Sequence, residues 1–209
     1  MTDFFTPCCR NLPLKLALRL LVAWLLLAAG VAQAQVATDI TQLRLERSDD
    51  EWQLSAQLQF DIPSVVEDAL VKGIPMVFVY NADVLRERWY WYDKKVLSTE
   101  RHMRLAYQPL TRRWRLNVSS GPASSSGVGL ALNQSFDSLA QALSAIKRVA
   151  KWKVADGAEL DAGTKYKLDF RFKLDLGQLP RPFQIGALGQ SDWDIAANSL
   201  TPLVAESGK

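Results

Sequence analysis

Few residues of this chain have side chains suited to nucleophilic, acid–base or metal chemistry. Its 209 residues include two cysteines, Cys8 and Cys9, and one histidine, His102. Covalent catalysis needs a base beside a serine or cysteine nucleophile, and zinc needs three or four histidine, cysteine or carboxylate ligands. His102 follows Arg101 in a segment typical of a strand, so we expect it at the surface. The sequence also has no phosphate-binding glycine loop or dinucleotide fingerprint. We therefore expect no catalytic residue, no cofactor, no metal site and no enzymatic activity.

Paired carboxylates are the one route to catalysis that the sequence leaves open. Asp192 and Asp194 flank Trp193, and the two acids would share a face if that segment were a strand. A second acidic group contains Asp156, Glu159 and Asp161, although an aspartate followed by glycine is typical of a turn. A glycoside hydrolase needs two carboxylates flanking the sugar bond that it cleaves. A glycan-acting hydrolase is therefore an alternative function.

The most unusual local composition is basic and aromatic. Within ten residues the chain carries Arg86, Arg88, Trp89, Tyr90, Trp91, Tyr92, Lys94 and Lys95, and Arg112, Arg113, Trp114 and Arg115 would extend this group if the strands met. Strand alternation would send Trp89 and Trp91 to one face and Tyr90 and Tyr92 to the other. Aromatic rings stack on sugars or peptides, and arginine adds cation–π contacts and carboxylate recognition.

These properties define a candidate binding surface, which comprises Arg86, Arg88, Trp89, Tyr90, Trp91, Tyr92, Arg113 and Arg115. In the alternative interpretation both faces are covered, and the arginine stems only pack over the rings.

The beginning of the chain is typical of a secretory signal peptide. Arg10, Lys15 and Arg19 precede an apolar run over residues 20–29, and Ala32-Gln33-Ala34 follows. A basic region, a short apolar core and an A-x-A site in this order predict cleavage after Ala34. An uncleaved anchor that starts near Leu12 is the alternative, but the run is short for a transmembrane helix.

Cleavage after Ala34 changes what the composition implies. The whole chain has 25 Lys+Arg, 22 Asp+Glu and a net charge of +3, whereas residues 35–209 have a net charge of +1 and no cysteine. An exported domain without disulfides must be stabilised by its core, and about 175 residues are enough to bury one. We expect a periplasmic protein without a transmembrane segment in its mature form. Nucleic acid could be bound by aromatic and basic side chains, but export excludes it as the expected partner.

Hydrophobic alternation predicts a mainly β protein. Period-two patterns predict strands over residues 40–47, 52–60, 114–118 and 165–176, and apolar or β-branched stretches predict further strands over 74–80, 99–107 and 152–154. The pair Asp49-Asp50 predicts a hairpin turn, and Phe183–Leu188 is the expected last edge strand. Seven or eight strands joined by short turns predict a single antiparallel β-sandwich or open-barrel-like domain over residues 35–198. A flexible tail is expected over 199–209.

Two short helices complete the expected fold. One begins at Ser64, where Glu67 three residues later fits a capping box, and ends near Gly73. The other covers Phe136–Arg148 and would be capped by Ser135. The Gly/Ser-rich segment 121–127 is expected to be a loop or short linker.

Several of these segments resemble one known family in order and spacing. They are LSAQLQF at residues 54–60, VFVY at 77–80, RWYWYDKK at 88–95, YQPLTRR at 107–113, SFDSLAQAL at 135–143, LPRP at 179–182 and SDWD at 191–194. From about Ile40 to Asp194 the chain is similar to the proteobacterial exported family called domain of unknown function 4390. The chain after Trp193 departs from the tryptophan-rich ending of that family.

The resemblance implies an envelope protein with one β-rich domain, but no activity, cofactor or catalytic residue. Members of that family are often encoded near a nitrogen-type sensor kinase, so the resemblance also implies a regulatory context. Together with the aromatic and basic residues, this favours a non-catalytic binding or adaptor protein of the bacterial envelope. Its expected partner is an envelope protein, such as a membrane sensor kinase, or a glycan. A purely structural accessory protein is a further alternative.

Overall fold

A computed structural model describes residues 38–48, 50–90, 92–121, 132–161, 164–187 and 189–203. The segment predicted to be a signal peptide, Trp91, most of the Gly/Ser-rich segment and residues 204–209 lie outside these ranges. The part of the chain after Val36 forms one compact unit. No helix in the described ranges has the length and apolar character needed to cross a membrane.

The smaller of two sheets contains three antiparallel strands in the order β1-β2-β7. Its strands are β1 (Asp39–Ser48), β2 (Glu51–Gln59) and β7 (Arg148–Asp156). β1 and β2 form the expected hairpin, in which Ser48 pairs with Glu51. The period-two pattern of β2 fits this position because its even-numbered residues are buried and its odd-numbered residues remain accessible to solvent.

The larger sheet contains six antiparallel strands in the order β6-β5-β4-β3-β8-β9. The bounds are β3 (Met76–Arg86), β4 (Lys94–Gln108), β5 (Arg113–Ser120), β6 (Leu132–Phe136), β8 (Tyr166–Leu174) and β9 (Ala196–Leu203). β3 lies in the middle and pairs with β4 on one side and β8 on the other. The prediction of a mainly β, antiparallel fold is confirmed.

The two sheets share one hydrophobic core. Phe60, which follows β2, lies 5.0 Å from Phe172 of β8 and 5.9 Å from Phe78 of β3, measured between ring centroids. Phe78 and Phe172 stack on each other at 5.9 Å. Aromatic side chains bury large areas, and pairs at these distances add further stabilisation. In the described residues, each sheet begins and ends with an edge strand that is hydrogen-bonded on one side only. The arrangement is therefore that of two open sheets packed against each other.

The described residues contain three α-helices rather than the expected two: α1 (Ser64–Val71), α2 (Leu139–Lys147) and α3 (Arg181–Ala187). The prediction of an edge strand over 183–188 was wrong, because α3 occupies residues 181–187. The carbonyl of Pro180 accepts hydrogen bonds from the amides of Phe183 and Gln184 at 2.9 and 3.2 Å. Proline is compatible with a first helical turn because the amides there have no intrahelical partner.

Both predicted helix caps differ from the structure. Ser64 is the first residue of α1 and is preceded by Pro63, and no side chain caps this helix. Ser135 belongs to β6, whereas Ser138 caps α2 by accepting a hydrogen bond from the amide of Gln141 at 3.3 Å. An N-cap serine has an extended backbone and directly precedes the first helical residue. Because β6 continues to Phe136 and the helix begins only at Leu139, Ser138 and not Ser135 is the cap.

The segment predicted as a tail contributes a strand. β9 (Ala196–Leu203) pairs with β8 along its whole length, from Lys173 with Ala196 to Tyr166 with Leu203. The prediction of a flexible tail from residue 199 was therefore wrong for residues 199–203. Pro202 is compatible with β9 because this strand lies at the edge of the sheet.

Candidate binding surface

The aromatic segment is a hairpin loop and not a strand. β3 ends at Arg86 and β4 begins at Lys94, and these two residues pair with each other. The residues between them therefore form a connection, and the expected alternation of Trp89, Tyr90 and Tyr92 between two sheet faces was wrong. Among the described residues, Val84 is the last buried core position of β3, and Tyr166 is the first of β8. The loop lies beyond both positions, so a further strand there would have no core to cover.

The aromatic rings of this loop face solvent. Trp89 is 93% exposed, Tyr90 is 70% exposed and Tyr92 is 89% exposed, while Trp91 lies outside the described residues. The rings of Trp89 and Tyr90 contact each other edge to face, with 4.9 Å between their centroids. Arg86 and Arg88 are also exposed. The alternative in which both aromatic faces are covered does not hold for Trp89, Tyr90 and Tyr92.

The base of the loop is held against β8. The amide of Glu87 donates a hydrogen bond to the carbonyl of Lys165 at 3.0 Å. Lys167 Nζ lies 3.1 Å from Glu87 Oε1 and 3.1 Å from Asp93 Oδ2, so one cation joins both ends of the loop. Hydrogen bonds to Glu87 and Asp93 raise the pKa of Lys167. The two ends of the loop are thus fixed to β8, while its described aromatic rings are exposed to solvent.

Arg113 and Arg115 do not join this loop. They pair with Gln108 and Ala106 near the end of β4, whereas the loop precedes Lys94 at its beginning. Twelve residues separate Ala106 from Lys94, which corresponds to about 40 Å along the strand. The prediction that both basic groups could form one surface was therefore wrong, because a single long strand separates them. Arg113 instead lies 3.1 Å from Asp137, measured from Nη2 to Oδ1.

A buried aspartate on β3 is a site that the sequence alone did not indicate. Asp83 has a side chain only 2% exposed. It receives Lys95 Nζ at 2.7 Å, Ser98 Oγ at 2.5 Å and the guanidinium of Arg171. Burial raises the pKa of Asp83, but hydrogen bonds from Lys95 and Ser98 and the charges of Lys95 and Arg171 outweigh burial and lower it overall. Its partners come from β4, which is the next strand along the chain, and from β8, where Arg171 lies 88 residues away in sequence.

His102 and the acids around Trp193, which were considered for catalysis, lie in different elements. His102 is buried, which corrects the expectation of a surface position, and its Nε2 lies 3.2 Å from Glu100 Oε1. Asp192 and Asp194 are exposed on either side of the buried Trp193, in a 3-10 turn over Ser191–Trp193 rather than in a strand. Among the described residues, no three histidine, cysteine or acidic side chains are grouped so as to hold a metal ion.

Comparison with known proteins gives a family but no activity. No curated protein and no solved structure matches the chain. Residues 36–201 match the family described as a domain of unknown function, DUF4390. This range runs from the residues before β1 almost to the end of β9, so it includes both sheets and the exposed aromatic loop. The chain therefore belongs to the DUF4390 family.

Proposed function

We propose that this chain is a non-catalytic binding or adaptor protein of the bacterial envelope, which contacts a partner protein through the loop formed by residues 87–93. The observation that carries this proposal is the exposure of Trp89, Tyr90 and Tyr92 at one hairpin. The proposal further holds that residues 1–34 direct export and are removed after Ala34.

The composition of the loop is that of an interface centre. Tryptophan, tyrosine and arginine are the residues most enriched among those that dominate binding energy at protein interfaces. The loop offers Trp89, Tyr90 and Tyr92 beside Arg88, and its ends are held by Lys167. Because the ends of the loop are already fixed, the loop loses fewer conformations when the partner docks, and the entropy cost of binding is lower.

Photo-crosslinking in intact cells tests the loop as a contact site. A photoreactive amino acid is placed at position 92 and, as the control, at position 110. Leu110 lies at the opposite end of β4, between β4 and β5, and is also fully exposed. We expect one envelope protein to crosslink from position 92 and not from position 110. Equal products from both positions would mean that the loop has no special role.

Substitution of the aromatic residues tests how much their side chains contribute to the binding free energy. Trp89→Ser combined with Tyr92→Ser should weaken binding of the captured protein at least 30-fold, because truncation of even one hot-spot residue costs about 2 kcal/mol or more. Leu110→Ser is the matched control and should leave binding within about twofold. If the double variant binds as tightly as wild type, or if the crosslinked material is glycan rather than protein, the proposed docking mode is wrong.

Export is tested separately from binding. Cell fractionation and N-terminal sequencing should find the protein in the periplasm with Gln35 as its first residue. A chain that keeps its original N terminus and sediments with membranes would support the uncleaved anchor instead. This result would change the localisation without removing the loop as a contact site.

A further inference from the structure

The solvent side of the six-stranded sheet carries an excess of positive charge. We call this side the outer face. It consists of the side chains of β3, β4, β5 and β8 that alternate with those in the core. Strand pairing brings together seven basic side chains on it, namely Lys95, Arg104, Arg113, Arg115, Lys167, Arg171 and Lys173, against the three acids Asp83, Glu100 and Asp169. Residues 35–209 as a whole have a net charge of only +1.

The acids of the outer face neutralise only part of this charge. Asp83 pairs with Lys95 and Arg171, and Asp169 lies 3.5 Å from Arg171 Nε. Acids beside this face pair with two more of its cations, Asp137 with Arg113 and both Glu87 and Asp93 with Lys167. Among the described residues no ion pair forms with Arg104, Arg115 or Lys173, and all three side chains are exposed. These three cations lie on β4, β5 and β8, so the excess charge spans much of the sheet.

The outer face offers charge without an exposed apolar centre. Its apolar side chains on the central strand are Val77 and Val79, which are buried, and Leu85, which is half-buried, and none of the three belongs to the main core. The exposed Leu200 lies on the same side of the sheet but on the edge strand β9, away from this centre. Stable protein interfaces depend on a desolvated centre of aromatic or aliphatic anchors. A layer of anionic lipid headgroups needs no such anchor, because each nearby lysine or arginine contributes through charge alone.

We propose that the outer face docks on the surface of a membrane that contains anionic phospholipids. Headgroup phosphates supply the countercharge that Arg104, Arg115 and Lys173 lack within the described structure. Binding is electrostatic and peripheral, so it weakens as salt screens the charges. This contact uses the face of the sheet and does not depend on the aromatic loop, so it is independent of the proposed protein partner.

Vesicle co-sedimentation tests the proposal. The protein is purified in the form that the cell accumulates. It is mixed with vesicles of phosphatidylcholine alone or of equal parts phosphatidylglycerol and phosphatidylcholine. We expect binding to the anionic vesicles only, and its loss at about 1 M salt, where the Debye length is about 3 Å. Equal binding to both kinds of vesicle, or binding that high salt does not weaken, would overturn the proposal.

Two triple variants separate the position of the charges from their number. Arg104→Gln, Arg115→Gln and Lys173→Gln together should weaken binding about 100-fold, at about fivefold for each cation near the surface. The control combines Arg44→Gln, Lys72→Gln and Arg181→Gln, which lie outside the outer face, have no ion pair among the described residues and change the net charge equally. The control should bind within about threefold of wild type, and equal weakening of the two triples would overturn the proposal.

Three further measurements test whether the outer face is the membrane contact. If the outer-face triple unfolds, Arg115→Gln alone should still weaken binding about fivefold. Trp89→Ser with Tyr92→Ser should leave vesicle binding unchanged, and a loss there would assign the contact to the loop and overturn the proposal. Polyglutamate should bind more weakly than vesicles of the same total charge. Tighter binding to polyglutamate would point to an acidic protein and contradict the membrane assignment.

Discussion

Two polar side chains on β3 have fixed positions on opposite faces of the sheet. Tyr80 faces the core and Asp83 faces outward, because an even and an odd position on one strand point to opposite sides. Each is satisfied by partners on other elements: Ile146 for Tyr80, and Lys95, Ser98 and Arg171 for Asp83. A buried polar group without a partner costs more than an ordinary hydrogen bond contributes, so both residues can be tested by substitution.

Tyr80→Phe should lower the free energy of unfolding by about 1–2 kcal/mol. Tyr80 Oη donates a 2.5 Å hydrogen bond to the carbonyl of Ile146, near the end of α2, where carbonyls have no intrahelical partner. Burial raises the pKa of Tyr80, although the charge of Arg101 opposes this, so the hydroxyl keeps its proton as the donor. Urea unfolding measures the change. Tyr90→Phe, at an exposed position, is the control, and equal losses in the two variants would contradict the assigned role.

Asp83→Asn should lower the free energy of unfolding by about 2 kcal/mol at pH 7, since hydrogen bonds to charged groups contribute about 1.5–3 kcal/mol. The pKa of Asp83 is lowered in the folded state. Its stabilisation is therefore fully present above the ordinary aspartate pKa of about 3.9 and is lost as the pH falls through the lower folded value. Urea unfolding from pH 7 to pH 2 should show wild type and variant converging in stability at the acid end. Asp192→Asn, at an exposed acid, should change stability by less than about 0.5 kcal/mol, and a pH-independent gap for Asp83→Asn would disprove the linkage.

At the scale of elements, a contact between two turns holds one end of the smaller sheet together. The β1–β2 hairpin and the turn after β7 contact each other through Asp50 and Gly157. The amide of Gly157 donates a 2.5 Å hydrogen bond to the carbonyl of Asp50. This contact joins β7 to the β1–β2 hairpin at one end of the smaller sheet, and it requires close approach of two backbones.

Gly157→Ala should lower the free energy of unfolding by about 1–3 kcal/mol, as overpacking commonly does. A Cβ at this position would lie 2.9 Å from the carbonyl oxygen of Asp50, which is backbone and cannot rotate away. Gly186→Ala is a matched control within α3, where a Cβ would meet nothing within 4 Å. Alanine favours helix over glycine by about 1 kcal/mol, so this control should be neutral or stabilising in thermal unfolding. A neutral Gly157→Ala would mean that the turn relaxes without cost.

At the scale of the whole molecule, the last described strand, β9, is joined to the rest of the fold more extensively than its weak hydrophobic alternation indicates. β9 covers the edge of β8, and its Leu203 packs against the shared core. β9 also lies against β1, the edge strand of the smaller sheet. β9 therefore belongs to the larger sheet and also packs against the smaller one.

A chain that ends at Ile195 should lose more than about 3 kcal/mol of unfolding free energy, comparable to deleting a large core side chain. The truncation removes all partners of β8 on one side and leaves an unpaired edge, which also favours aggregation. A chain that ends at Leu203 keeps β9 and is the matched control. Circular dichroism during heating, together with light scattering, measures both effects. Truncation at Ile195 with an unchanged melting temperature would show that β9 is dispensable.

Local pattern predicted much of the fold. The alternation in Glu51–Gln59 and Tyr166–Leu174 predicts strands with one buried face, because the side chains of a strand alternate with period two. The acidic pair before Glu51 predicts the β1–β2 hairpin. The lone histidine and the acids around Trp193 give no local pattern for a catalytic site.

Only the tertiary structure decided which strands pair and what their outward side chains meet. Pairing depends on burial between segments far apart in sequence, which a local pattern does not encode. It gave Asp83 its cationic partners, separated Trp89 from Arg113 by the length of β4, and placed Arg104 and Lys173 on one outer face. The sequence thus determined which side chains could bind, while the pairing of β3 with the neighbouring β4 and with the distant β8 determined which of them lie together.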